Sequence, residues 1–213
     1  MGLADWRKSK LNEHGITDFF YFSMIDNLES FLRYGILPKN EIVRQGWNSA
    51  SFAEKSVQDR RHVREIQLSN CTKVTIHDIV PVYLIPRTPT LSARRPSQNK
   101  IFFIVIDAYV LAQENIEFAF SDGNAASRET SIFNSLYKLK SIPWDVLKAT
   151  YWNDFPDGRR KRNAEFLIFP RIAPEYFRRI VVSNPDLHKE CNRLTQQLGL
   201  SINIEINTNY FFI

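Results

Sequence analysis

The run Ile101-Phe102-Phe103-Ile104-Val105-Ile106 contains no polar position. Its β-branched and aromatic residues favour an extended chain, and it is too short for an ordinary helix. Such a run reads as a strand buried on both faces. A strand of that kind needs a sheet with cover above and below, so the rest of the chain must supply two layers. The 213 residues suffice for one large domain spanning 1–213.

The flanking patterns do not repeat a strand–helix rhythm. Residues 2 to 14 read as a polar helix, Thr17 to Ser23 as a short aromatic strand, and Ile25 to Tyr34 as a helix stopped by Gly35. Asn40 to Phe52 reads as a loop and Glu54 to Ile66 as a charged helix. Asp78 to Pro86 includes a strand, and Thr88 to Asn99 is a loop. A short helix is expected from Ala108 to Gln113 and a strand from Ile116 to Phe120. Ile132 to Leu139 and Trp144 to Thr150 have helical spacing, Pro174 to Arg179 reads as a helical turn, and Ile180 to Val182 as a strand. Pro185 suits the first turn of a helix running to Leu198, and Ile202 to Ile206 closes the series as a strand. Irregular mixing of this kind predicts an α+β domain on a largely antiparallel sheet.

Charge is local. The formal net charge is +5, and arginines gather at Arg60, Arg61 and Arg64, at Arg94 and Arg95, at Arg159 to Arg162, and at Arg178 and Arg179. The planar guanidinium fork suits phosphate, so an anionic partner is permitted. Cys71 and Cys191 belong to no metal-type spacing, and the four histidines do not pair at ligand spacing, so no metal site is expected. This cysteine usage fits a reduced, cytoplasmic setting. No apolar stretch is long enough to span a membrane.

The segment Arg159-Arg160-Lys161-Arg162-Asn163-Ala164-Glu165-Phe166-Leu167-Ile168-Phe169 carries the chemistry. Asp157-Gly158 reads as a turn and Ala164 to Phe169 as a strand. One carboxylate therefore stands at the mouth of a strand beside a basic run. Two readings stand: a solvated basic loop before an edge strand, or cations that collect a polyanion and a carboxylate that acts on it. Phosphate-binding G-x-x-x-x-G-K-[ST], dinucleotide-binding G-x-G-x-x-G and Ser-His-Asp patterns are absent. A metal-dependent nuclease commonly wants a lysine two residues after the glutamate, where this chain has Leu167. A lone carboxylate with arginines fits a reaction whose transition state is cationic, such as cleavage of the nicotinamide bond of NAD+.

Four stretches make the chain resemble the DarT-type DNA ADP-ribosyltransferases, toxins of a bacterial toxin–antitoxin system. They are Phe20 to Leu28 followed by Gly35-Ile36-Leu37; Asp59-Arg60-Arg61 followed by Asp78 to Tyr83 and Pro86 to Pro89; Ser121 to Ala126; and Lys161 to Leu167. Their order and spacing together are specific. The resemblance implies a split β-sandwich with NAD+ as substrate in its cleft and no metal. It implies that Glu165 is the catalytic glutamate and that Arg61 contacts NAD+ and assists, electrostatically, since a guanidinium keeps its charge. It implies that Tyr21, Phe22, Ser23, Asn27, Ser30 and Leu37 bind the cofactor. The family's usual His-x-Thr is replaced here by Tyr21-Phe22-Ser23, which keeps a hydroxyl and a ring but not an imidazole.

The acceptor implied is a base in single-stranded DNA, with RNA as the alternative and an antitoxin of the macrodomain-type ADP-ribosyl-hydrolase class as partner. Arg87, Arg94, Arg95, Arg159, Arg160 and Arg162 are expected to follow the nucleic-acid backbone, with Tyr151, Trp152 and Phe155 as stacking faces or core. Other readings remain at single positions. Arg61 can pair on a solvated helix, Tyr21 or Phe22 can be core, and Asn27 and Ser30 can cap a helix. From a different class, the same cleft suits a catalytically inert module that binds single-stranded nucleic acid.

Overall fold

The structure, a computed structural model, describes residues 2–47 and 64–213. In chain order the strands are β1 (Asp18–Met24), β2 (Glu65–Gln67), β3 (Lys73–Thr75), β4 (Val80–Tyr83), β5 (Ile101–Asp107), β6 (Glu117–Ser121), β7 (Ile132–Phe133), β8 (Glu165–Phe169), β9 (Phe177–Val182) and β10 (Asn203–Ile206). The α-helices are α1 (Leu3–Glu13), α2 (Leu28–Tyr34), α3 (Lys39–Arg44), α4 (Pro89–Ser92), α5 (Trp144–Lys148), α6 (Gly158–Lys161) and α7 (Pro185–Gln197). The α+β class expected from the pattern is the class observed.

Among the described residues, one eight-stranded sheet has the order β10-β9-β5-β1-β4-β8-β6-β7, and β2-β3 form a separate hairpin. Among these described strands, β10 and β9 are the one parallel pair. The all-apolar β5 sits in the interior of this sheet, and Ile101 to Ile106 are 0% exposed. The sheet is nearly divided. β1 and β5 are in register from Asp18↔Asp107 to Met24↔Ile101, whereas β1 meets β4 at Phe20↔Tyr83 alone. The expected split sandwich takes this form: two half-sheets, β10-β9-β5-β1 and β4-β8-β6-β7, joined at a seam one residue pair long.

The two faces are covered differently. Helices α1, α2 and α7 and the turns from Leu136 to Leu147 bury one continuous cluster that includes Phe19, Val82, Phe102 and Phe166. On the other face the cover is in two pieces. The β2–β3 hairpin packs Ile66, Leu68 and Ile76 on Leu167, while Leu91 and Phe211 pack on Phe103, Val105 and Val181, with Phe20 and Phe22 alongside. The line between these pieces follows the seam.

Local chemistry explains the boundaries. Gly35 ends α2 at φ 79°, and a side chain there would lie 2.2 Å from the carbonyl of Ile172, where the chain makes an Ile36↔Ile172 bridge. Asn184 caps α7 by accepting the Leu187 N–H at 2.9 Å, with Pro185 in the first turn.

Several expectations are corrected. Lys39–Arg44 is helical rather than looped. Glu65 and Ile66 lie in strand β2, not a helix, while residues 54–63 fall outside the described chain. The stretch from Thr88 holds α4 and a 3-10 helix, with Thr88 accepting the Leu91 N–H. Ile132–Phe133 is a strand, because Phe133 pairs with Phe120 across the sheet, and only Leu136–Ser141 is helical, as a 3-10 segment. Pro174–Tyr176 is a 3-10 turn, and strand β9 already starts at Phe177.

Candidate active site

Glu165 opens β8 and is 1% exposed. Its strand partner is Tyr83, and Tyr83 in turn is partner to Phe20. Directly opposed residues project to one face, so Phe20, Tyr83 and Glu165 share the face on which the cover divides. Phe22 lies two residues beyond Phe20, and its ring stacks on Tyr83 at 5.8 Å between centroids with a 12° interplanar angle. The backbone of Glu165 is held by Ser121, whose hydroxyl accepts the Glu165 N–H at 3.1 Å and donates to the carbonyl of Gly123 at 2.6 Å. The backbone of Glu165 is thus anchored at the seam by a neighbouring strand, on the sheet face that carries the Phe22–Tyr83 stack.

The residues assigned to the cofactor divide. Phe22 joins Glu165. Tyr21 alternates to the opposite face, where its ring meets Phe31 of α2 edge-on at 5.6 Å. Ser23 and Asn27 come together, with the Asn27 amide donating to the Ser23 hydroxyl at 2.9 Å, and the Asn27 side chain makes no helix-cap hydrogen bond. Ser30 is half-buried on α2. Leu37 lines a cavity of about 690 Å³ with Tyr34, Trp47, Phe169 and Arg171, which contains neither Glu165 nor Ser23. Arg61 lies outside the described residues.

The basic run is helix α6 rather than a loop, entered through Asp157 in the left-handed region at φ 56°. A side chain at Gly158 would lie 1.8 Å from the carbonyl of Trp152, so glycine alone permits that entry. The arginines of the run have different tasks. Arg162 is buried, with its guanidinium donating to the carbonyls of Val146 and Ala149, each at 2.6 Å, and of Arg87 at 3.2 Å. Burial, with the charge of Arg87, lowers its pKa. Arg162 therefore clamps three backbone carbonyls of its own chain, unlike the solvated backbone-following arginine expected from the sequence. Arg160 bonds Asp122 at 2.8 Å, Thr130 at 2.9 Å and Asp157. Burial alone would lower its pKa, but the bonds to Asp157 and Asp122 outweigh burial and raise it. Arg159, Arg87 and Arg95 are exposed, and Arg94 is half-buried.

Arg64, which in the sequence belongs to one cluster with Arg60 and Arg61, reaches the loop that follows β6. Its guanidinium donates to the carbonyls of Ala125 (2.7 Å), Ser127 and Thr130 (2.6 Å). Burial lowers its pKa against the opposing charges of Asp122 and Glu165. Arg64 and Arg160 latch the Asp122–Thr130 loop from two sides, and that loop begins at Ser121, the residue that holds Glu165. Among the described residues no group of three or more His, Cys, Asp or Glu side chains is placed to hold a metal.

A divided sheet with one carboxylate at its seam defines an ADP-ribosyltransferase-like domain. The sequence model of the family described as "ssDNA thymidine ADP-ribosyltransferase, DarT" matches residues 20–212, and the chain belongs to this family. It is an NAD+-dependent ADP-ribosyltransferase acting on single-stranded DNA. A DNA ADP-ribosyl transferase of Thermus sp. (strain 2.9) is 27% identical over 188 residues, covering 85% of this chain and 88% of that protein. The structure of Thermus sp. 2.9 DarT in complex with ADP-ribosylated ssDNA superimposes with a TM-score of 0.82 at 25% identity, over 92% of this chain and 97% of that one. A DNA ADP-ribosyl transferase–DNA ADP-ribosyl glycohydrolase fusion protein of Thermosipho africanus is 26% identical over 92% of this chain and 50% of its own length.

Proposed function

We propose that Glu165 is the catalytic carboxylate, that the seam between β1 and β4 receives the nicotinamide end of NAD+, and that the acceptor is a thymidine base in single-stranded DNA. The observation that carries the reading is a glutamate 1% exposed, backbone-anchored by Ser121 and paired across the strands with Tyr83, on which Phe22 stacks. A buried charge is costly to hold, and this one is held at the seam that divides the fold. Cleavage of the nicotinamide bond leaves positive charge on the ribose. A carboxylate fixed beforehand in a site of low dielectric lowers the energy of that charge without reorganising. The same group can accept a hydrogen bond from a ribose hydroxyl and orient the sugar. The Phe22–Tyr83 stack gives an aromatic wall for a planar ring.

Ser23 and Asn27 act as a hydrogen-bonded pair at the end of β1, and Tyr21 supports the strand through α2. Arg61 stabilises charge on NAD+ by its permanent cation. A base reaches this chemistry only when it is unstacked, so a single strand is the cheaper substrate. The exposed Arg159, Arg87 and Arg95 follow its backbone. The family description supports thymidine. The whole of 1–213 acts as one catalytic domain in the cytoplasm, as a toxin whose partner is an ADP-ribosyl hydrolase of macrodomain type. The Thermosipho africanus fusion, in which transferase and glycohydrolase share one chain, supports that pairing.

The test is incubation with NAD+ labelled in the ADP-ribose and oligonucleotides of DNA and RNA. Label should appear on thymidine-containing single-stranded DNA and vanish with Glu165→Ala. Label on RNA alone would change the acceptor. Binding without label in the parent would leave an inert binding module.

A further inference from the structure

The Phe212 ring is held among cations. The Arg87 guanidinium lies 4.5 Å from the centre of the Phe212 ring, and that of Arg95 lies 5.3 Å from it. Trp152 meets the same ring edge-on at 5.8 Å and 84°. The buried Gln98 fixes the backbone here, its side-chain carbonyl accepting the Phe212 N–H at 2.7 Å and its amide donating to the carbonyl of Leu91 at 3.1 Å. Phe211, 2% exposed, anchors the segment in the apolar cluster.

Arg87 and Arg95 have no carboxylate at ion-pair distance among the described residues, and the charge of Arg87 also presses on Arg162. Like charges gathered without acids are unfavourable. The arrangement becomes favourable when an anion arrives, and flat guanidinium groups laid on rings present further stacking faces. The cluster is tied to the catalytic strand. Arg87 follows Tyr83, the partner of Glu165, by four residues, a reach of at most about 14 Å. The carbonyl of Arg87 accepts from Arg162, and Thr90 donates to Asn163, two residues before Glu165, from its N–H at 3.2 Å and its hydroxyl at 2.9 Å.

We propose that Phe212, Trp152, Arg87 and Arg95 form a docking platform for a nucleotide that flanks the acceptor base in single-stranded DNA. The phosphate lies against the two arginines, and the base stacks on the ring and guanidinium layer. Phe212 is the keystone, since it orders both cations, and it sets how far from the acceptor the strand is gripped. The proposal rests on single-stranded DNA being the acceptor.

The experiment measures fluorescence anisotropy of a labelled oligonucleotide with one thymidine and an abasic site moved along its flanks. Phe212→Leu should weaken binding about tenfold, the lower part of the range for one stacked base. NAD+ affinity by calorimetry should stay unchanged, and Phe212→Tyr should bind like the parent. One flanking abasic position should weaken the parent about tenfold and leave Phe212→Leu no weaker than before. Equal losses in both proteins at every position, or unchanged binding by Phe212→Leu, would overturn the platform. If Phe212→Leu does not fold, Arg95→Gln is read by the same scan. Because the scan reads binding alone, loss of transfer in the parent would overturn the enzymatic reading and leave the platform standing. A parent that binds no DNA would overturn both.

Discussion

Ser121 and Glu165 are joined by a hydrogen bond in which the Ser121 hydroxyl accepts the Glu165 N–H at 3.1 Å, across the pairing of β6 with β8. The bond lies at the end of both strands, where the ladder gives way to loops. It sets the height at which the carboxylate leaves the sheet. Ser121→Ala removes the acceptor from a buried N–H, a cost of about 1–3 kcal/mol. The expected result is a lowered melting temperature and a kcat reduced about tenfold, with KM for NAD+ near the parent value. An unchanged kcat would show that Glu165 keeps its position without this bond.

Arg162 and Arg159 are three residues apart in one basic run, and their substitutions should fail in different ways. Arg162→Met strips donors from the carbonyls of Val146, Ala149 and Arg87. It should cost about 3 kcal/mol or more, because several buried acceptors are left unpaired. Thermal melting is the readout. Arg159→Ala should leave melting unchanged and reduce the salt slope of single-strand binding by about 0.7, the value for one phosphate contact. A stable Arg162→Met with a reduced salt slope would return Arg162 to the acceptor surface.

This contrast marks how far the sequence could be read. The β5 run, the stop at Gly35, the cap at Asn184-Pro185 and the placing of Glu165 at the head of β8 are local signals, and local signals are legible. Arginines in one run carry identical letters, and only the fold buries Arg162 while leaving Arg159 in water. The helical spacing of Ile132 to Leu139 was overridden by the pairing of Phe133 with Phe120, whose rings lie 5.5 Å apart. Tyr21 and Phe22 are neighbours in an aromatic strand, and which of them faces Glu165 follows from the register with β4 and not from composition. Arg64 and Phe212 act through partners more than 60 and 50 residues away respectively, a distance at which one sequence carries no signal.

Acid should loosen the wall of the cavity beside α3 before it unfolds the sheet. Asp78 accepts from the N–H of Thr75 at 3.0 Å, its hydroxyl at 2.7 Å, and the amide of Asn40 at 2.7 Å. Burial alone would raise its pKa, but the bonds from Thr75 and Asn40 outweigh it and hold the carboxyl below its ordinary value of 3.8. A depressed folded pKa means that this contribution is complete above the unfolded value and is lost as pH falls through the folded one. Hydrogen exchange at Lys39–Arg44 should rise in the parent below about pH 4. Asp78→Asn should show the raised exchange at neutral pH and no further acid step. A parallel acid response in both proteins would assign the transition to another carboxylate.

Arg64 should be irreplaceable by lysine, though the charge is kept. Its forked guanidinium reaches the carbonyls of Ala125, Ser127 and Thr130 together, and an ammonium on a flexible stem cannot span the same three acceptors. Arg160 holds the other side of the loop through Asp122 and Thr130, so Arg64→Lys should loosen the loop without releasing it. The Ser121 hydroxyl donates to the carbonyl of Gly123 within the same loop, and its acceptance from Glu165 depends on that orientation. Loss of the fork should therefore reach the carboxylate through Ser121. The expectation is a kcat lowered about tenfold, a KM for NAD+ changed less than twofold, and little further loss in the Arg64→Lys, Ser121→Ala double variant, because residues coupled in one network are not additive. Fully additive losses in that cycle would mean that Arg64 acts on Glu165 directly by its charge, and the loop would then be a bystander.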